Sequence, residues 1–246
     1  AVAERLVAGA LRGGPPPGRT AAVCGSKATG KSTFGRLLVN ALLNSVPVVA
    51  HLETDVGRPE FTAPGAVALT FVTRPITGPP HLRTDHVRPA RQIFVGDTSP
   101  KADPLAYFAA VRSLHEWFAR DGEAAAQRHL ARIPGPRAAA AAKSFAATGA
   151  AVPLVVNTHG WIKGLGLDLV ADILKLSNPC QVVQTAAREA SRNLPRESFW
   201  TSDPSDLSAV VRVPSAEAFQ SSSSSPSSAP ASQMPSAADG RARAWR

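Results

Sequence analysis

With 246 residues and 25.6 kDa, the chain is long enough to bury one sizeable core and carry a small appendage. Twenty-seven Lys+Arg against 18 Asp+Glu leave a net charge of +9, a balance suited to phosphate-rich or acidic partners. The two cysteines, each in its own apolar run, exclude a disulfide-stapled secreted domain and a cysteine zinc site. No window approaches the roughly 18 uninterrupted apolar residues of a membrane span, so no membrane partner is expected.

Leu6, Val7, Ala10 and Leu11 recur at helical spacing and predict a helix over residues 2–11. Glu4 and Arg5 within it do not suit a signal peptide, and the glycines and prolines of residues 13–18 end it. Residues 1–18 therefore read as a helix and linker ahead of the main domain. Short buried strands are predicted at 21–24, 46–52, 93–95, 152–156 and 181–184, with helices at 31–43, 104–120 and 165–176 between them. Asp103 supplies an N-cap for the second helix with Pro104 at its first position, and Leu105, Phe108, Val111, Leu114 and Phe118 form one stripe. Strands alternating with helices over residues 19–213 predict an α/β domain, a mostly parallel sheet with helices on both faces. Ligands of such sheets bind beyond the carboxyl ends of the strands. Residues 121–151, rich in Ala and Arg and broken by Pro134-Gly135-Pro136, read as an exposed helical insertion with a flexible joint. Residues 214–240 hold the run Ser221 to Ser225 and three prolines, too few large apolar groups to fold, so disorder is expected there.

Gly25-Ser26-Lys27-Ala28-Thr29-Gly30-Lys31-Ser32 matches G-x-x-x-x-G-K-[ST] in full, with an apolar strand before it and a helix opening at Thr33. Backbone N–H groups of such a loop wrap the β-phosphate of a nucleoside triphosphate. Lys31 would reach the β- and γ-phosphates, and the Ser32 hydroxyl would ligate Mg²⁺. This fold class is the P-loop NTPase fold. After the second predicted strand come Glu53 and Asp55, on the side of the sheet where the phosphate loop lies. A carboxylate there can hold a magnesium-bound water or take a proton from an attacking hydroxyl. Glu60 reads as a surface charge. Arg58, one short turn beyond Asp55, is expected to pair with that carboxylate and weaken it as a base, the alternative being that it pairs with a phosphate of the substrate and leaves Asp55 free.

Four stretches, 25–33, 52–62, 94–104 and 155–168, together with weaker ones at 78–84 and 193–200, resemble the polynucleotide 5′-hydroxyl kinases. The likeness is to the nucleolar branch acting in pre-ribosomal RNA processing. The third stretch contains Asp97-Thr98-Ser99-Pro100 and the fourth Asn157-Thr158-His159-Gly160-Trp161. The resemblance implies transfer of the γ-phosphate of ATP (or GTP), with Mg²⁺, to the 5′-hydroxyl of RNA. It implies Asp55 as the base activating that hydroxyl, Thr98 and Ser99 as a clasp on the substrate, and Trp161 as a platform stacking on the terminal base. It also implies a lid bearing arginines over the transferring phosphate, for which Arg241, Arg243 and Arg246 in residues 241–246 are the candidates. An endoribonuclease partner and a nuclear, nucleolar location follow from the same resemblance. The residues alone leave Thr98 and Ser99 open to a role in capping the helix at 104–120. The alternative function is a catalytically weak nucleotide-binding scaffold in an RNA-processing complex. Arg74, Arg83, Arg88 and Arg91, and further on Arg188, Arg192 and Arg196, suit a surface that tracks RNA phosphates.

Overall fold

The structure, a computed structural model, describes residues 2–13, 16–78, 87–195, 200 and 210–214. The Ser/Pro-rich segment, the lid candidates Arg241, Arg243 and Arg246, and Arg83 and Arg196 lie outside the described residues. In chain order the elements are α1 (Val2–Leu11), β1 (Thr20–Cys24), α2 (Lys31–Leu43), β2 (Val49–Glu53), β3 (Ala66–Val72) and β4 (Arg91–Phe94). There follow α3 (Pro104–Arg132), α4 (Pro136–Thr148), β5 (Leu154–Asn157), α5 (Leu165–Ser177), β6 (Gln181–Ala186) and β7 (Val210–Pro214).

The seven strands form one sheet in the order β4-β3-β2-β5-β1-β6-β7. β1, β2, β5, β6 and β7 run parallel, whereas β3 pairs antiparallel with both β2 and β4. The expected α/β architecture is therefore present, with an antiparallel margin that residue patterns did not reveal. Alternation along β1 divides the core. Ala21 and Val23 face Leu38, Val39 and Leu42 of α2 and Leu6 of α1, whereas Ala22 and Cys24 face the layer of α3 and α5. Both layers are mainly apolar and bury both faces of the central strands, so β1, β2 and β5 carry mostly hydrophobic residues with the polar exceptions Thr20, His51, Glu53 and Asn157.

Three expectations change. β3 was not expected although its seven residues are all buried, because a short, largely apolar run has no period of its own. The strand expected as buried at 93–95 is instead β4, an exposed sheet margin with Phe94 75% accessible. Residues 121–151 do not form an exposed insertion. No proline occurs in α3 beyond its first residue and the lone Gly122 is tolerated, so the helix runs on to Arg132 and buries Ala126 and Leu130, and α4 folds back against it with Phe145 buried. Glu123 of this extension takes the Arg19 guanidinium and accepts from the Val152 N–H, tying α3 to the start of β1 and the approach to β5.

Candidate active site

Two antiparallel pairings separate β4 from β2, so β4 points the same way as β2, β5, β1 and β6. The loops after β1, β2, β4 and β5 consequently meet at one edge of the sheet. They enclose a cavity of about 930 Å³ lined by Lys27, Ala28, Gly30, Lys31, Ser32 and Thr33 from the first loop and Asp55 and Arg58 from the second. Thr98, Ser99 and Lys101 come from the third, and His159 and Trp161 from the fourth.

The first loop is locked from behind. Thr29 Oγ1 donates to the Ser26 carbonyl at 2.8 Å and lies 2.7 Å from Thr185 Oγ1 on β6. Gly25 has φ 144, and a Cβ there would come within 2.5 Å of Thr185 Oγ1, so no other residue fits. Ala28 is held at φ 67, a left-handed backbone that is uncommon for a side-chain-bearing residue and recurs at functional loops. α2 starts from Gly30 with no side-chain cap, leaving its first N–H groups facing the cavity. Gly160 abuts this loop so closely that a Cβ would lie 2.9 Å from the Lys27 backbone.

Lys31 is buried, and its ammonium donates to the Ser26 carbonyl at 3.0 Å. Burial draws its pKa down, with Asp55 the leading opposing influence. Ser26 Oγ is also buried and has no hydrogen-bond partner among the described residues. A half-satisfied buried cation, an orphaned hydroxyl and an uncapped helix start together fit an anionic phosphate chain. No group of three or more His, Cys, Asp or Glu able to hold a metal occurs among the described residues. Any ion here would be held by Ser32 and Asp55 together with phosphate oxygens, which is how magnesium is commonly bound.

Asp55 Oδ1 accepts from the N–H groups of Gly57 and Arg58, at 3.1 and 3.3 Å. Its loop hangs from Glu53, which is buried at the end of β2. The Glu53 carboxylate accepts from Asp55 N–H at 2.9 Å, Glu60 N–H at 3.2 Å and the Asn157 side-chain amide at 2.9 Å. Burial pushes the Glu53 carboxyl up to about 8, while these donors pull the other way. Glu53 is thus the anchor of the Asp55 loop and does not line the cavity. Glu60 is not a surface charge: it is buried and pairs with Arg36 at 3.0 Å. The expected ion pair between Arg58 and Asp55 is absent among the described residues. Arg58 meets Asp55 through its backbone, and its exposed guanidinium is free to turn elsewhere.

Thr98 and Ser99 line the cavity and do not cap α3, a task performed by the Asp103 carboxylate accepting from Ala106 N–H at 2.9 Å. The Trp161 ring is half-buried at the cavity wall, with the Lys101 ammonium 4.9 Å from its centroid. Two contributors went unread in the sequence. Lys101 lies three residues beyond Thr98, in a turn whose course only the fold decides. His159 is 2% exposed, its Nδ1 accepts from Trp161 N–H at 3.3 Å, and its Nε2 is buried with no partner among the described residues. Arg192 donates to the Lys27 carbonyl at 2.9 Å, placing the segment after β6 on the same edge.

This sheet, with its phosphate loop between the first strand and the helix after it, defines a P-loop nucleotide-binding domain. The sequence matches the family described as mRNA cleavage and polyadenylation factor CLP1 P-loop over residues 25–135 and 136–234. The chain belongs to that family. It is 37% identical over 197 residues to polynucleotide 5′-hydroxyl-kinase NOL9 of Arabidopsis thaliana, covering 80% of this chain and 48% of that protein. It is 37% identical over 164 residues to NOL9 of Homo sapiens, covering 66% of this chain and 18% of the relative. To polynucleotide 5′-hydroxyl-kinase GRC3 of Cryptococcus neoformans it is 33% identical over 182 residues, 74% of this chain and 23% of the relative. The chain spans about half or less of the length of these relatives. A solved Clp1p–Pcf11p complex shares the fold, with a TM-score of 0.57 at 14% identity over 82% of this chain and 44% of that one.

Proposed function

We propose that this chain transfers the γ-phosphate of ATP, or of GTP, to the 5′-hydroxyl of RNA, giving a nucleoside diphosphate and a 5′-phosphorylated end. The observation that carries the reading is one cavity lined by the phosphate-loop Lys31, the carboxylate of Asp55 and the ring of Trp161. Lys31 and the first N–H groups of α2 hold the phosphates, and Trp161 stacks on the terminal base in a sequence-tolerant manner. Thr98 and Ser99 clasp the incoming end. Asp55 accepts the proton of the attacking hydroxyl, its orientation fixed by the Gly57 and Arg58 N–H groups. Magnesium, when bound between Ser32 and Asp55, supplies positive charge against that developing on the phosphate oxygens. Arg241, Arg243 and Arg246 are assigned to a lid that adds further positive charge. Most of the rate gain in such a transfer comes from positioning and charge stabilisation. We place this activity in pre-ribosomal RNA processing in the nucleolus, beside an endoribonuclease that leaves 5′-hydroxyl ends; kinship with relatives named polynucleotide 5′-hydroxyl-kinase supports the kinase part of that reading.

Incubation with γ-labelled ATP and a 5′-hydroxyl oligoribonucleotide tests the reading. Label on the RNA end is expected. Tight nucleotide binding without any labelled RNA would instead make the chain a scaffold.

A further inference from the structure

A second cleft, of about 480 Å³, lies away from the catalytic edge. Its walls come from Phe71 of β3, the segment entering β4 with Arg88, and Trp117, Arg128 and Arg132 of α3. Because β4 runs toward the cavity, the residues that precede it lie at the opposite edge of the sheet from Thr98 and Ser99. α3 joins the two places. It begins at Pro104, just past the cavity-lining Lys101, and at 1.5 Å per residue it carries Trp117 about 20 Å and Arg128 about 36 Å from its start.

Arg88, Arg91, Arg128 and Arg132 are all exposed, and none makes an ion pair among the described residues. No carboxylate is among the described residues lining the cleft. The Arg91 guanidinium lies 4.6 Å from the Trp117 ring centroid, which holds it in place before any partner arrives. Trp117 and Phe71 are themselves buried and His129 is half-buried against Phe71, so what the cleft mainly offers a partner is guanidinium groups. Unpaired arginines that outnumber the single partly accessible ring suit a polyanion recognised by its backbone charge. An RNA held by its first nucleotide must leave the cavity, and α3 offers a path from the cavity mouth to this cleft.

We propose that the cleft between β4 and α3 binds the sugar–phosphate backbone of the RNA downstream of the nucleotide held in the cavity. The identity of the polymer rests on the function proposed above; the position and charge of the cleft do not.

The test compares the protein with its Arg128→Ala/Arg132→Ala variant, using a long single-stranded RNA and a trinucleotide, both with 5′-hydroxyl ends. The variant should bind the long RNA several-fold more weakly at low salt. The slope of log K against log salt should become shallower by about 1.4, the value for two lost phosphate contacts on a single strand. Trinucleotide affinity and the thermal midpoint should be unchanged, and Arg128→Lys/Arg132→Lys should restore the slope. Parental affinity and slope for the long RNA would overturn the proposal, as would equal losses for both lengths. So would polyglutamate binding that disappears in the variant while RNA binding stays parental, because the cleft would then serve an acidic polypeptide. If the slope falls but the protein labels no RNA, the cleft stands and the transferase reading fails. If RNA is labelled but the slope is unchanged, transfer stands and the cleft does not bind the RNA backbone.

Discussion

Asp55 owes its placement to a buried neighbour that does no chemistry. Glu53 accepts the Asp55 and Glu60 N–H groups and the Asn157 amide, so the turn after β2 hangs from one buried carboxyl group. Asp55→Asn should leave ATP affinity close to parental and lower kcat for RNA phosphorylation on the order of a hundredfold or more, read by steady-state transfer. Arg58→Gln should leave kcat nearly unchanged, because the Asp55 contact is made by a backbone N–H that the substitution keeps. His159 allows a pH prediction. Burial, assisted by the nearby Lys31 charge, lowers its pKa to about 4, from an ordinary value of 6.5. The unfolded chain therefore binds this proton first as pH falls. The stability His159 contributes is complete above about pH 6.5 and is lost as pH falls through about 4, on the order of 3 kcal/mol in all. Glu53, with its pKa raised from 4.5 to about 8, acts in the opposite sense: its contribution is complete below about pH 4.5 and is lost as pH rises through about 8. Urea unfolding at pH 7 and pH 4.5 should show a smaller acid-side loss in His159→Gln than in the parent.

At the scale of elements, α3 does two jobs. Its first turn, capped by Asp103, fixes the end of the Thr98–Ser99 turn, while Tyr107 donates its hydroxyl to the Thr54 carbonyl at 2.8 Å and braces the loop bearing Asp55. Its last turns bury Leu130 under α4 and β3, far from the cavity. Leu130→Ala should cost about 2–5 kcal/mol of unfolding free energy by leaving a cavity in a packed layer. Nucleotide affinity below the melting transition should stay parental. Chemical denaturation and equilibrium binding on the same variant separate these effects.

At the scale of the whole molecule, the phosphate site joins elements that are far apart in sequence: Thr185 of β6 backs Thr29, and Gly160 after β5 abuts Lys27. A triphosphate bound there should stabilise the entire fold. At a hundredfold excess over Kd the gain is about 2.7 kcal/mol, visible as a rise in Tm. Lys31→Ala should abolish most of that rise along with transfer, since no other buried cation lines the described cavity.

The phosphate loop, the helix that follows it and the carboxylate after β2 were legible in the residues, because each depends on local spacing: a glycine pattern, a 3.6-residue stripe, an acidic residue ending an apolar run. α2 begins and ends where its periodicity says. What the sequence could not determine was pairing. Whether the apolar run at Ala66–Val72 is a strand, and in which direction it lies, depends on the partner beside it. That antiparallel pairing brings the exit of β4, and with it Thr98, Ser99 and Lys101, to the edge that carries the phosphate loop. The same dependence hid the buried state of Glu60, the freedom of the Arg58 guanidinium and the gathering of Arg88 with Arg128 and Arg132. Local pattern sets what a segment is, since backbone geometry and side-chain spacing act within a few residues. Only the folded sheet decides what it touches, since burial and charge are settled by neighbours distant along the chain.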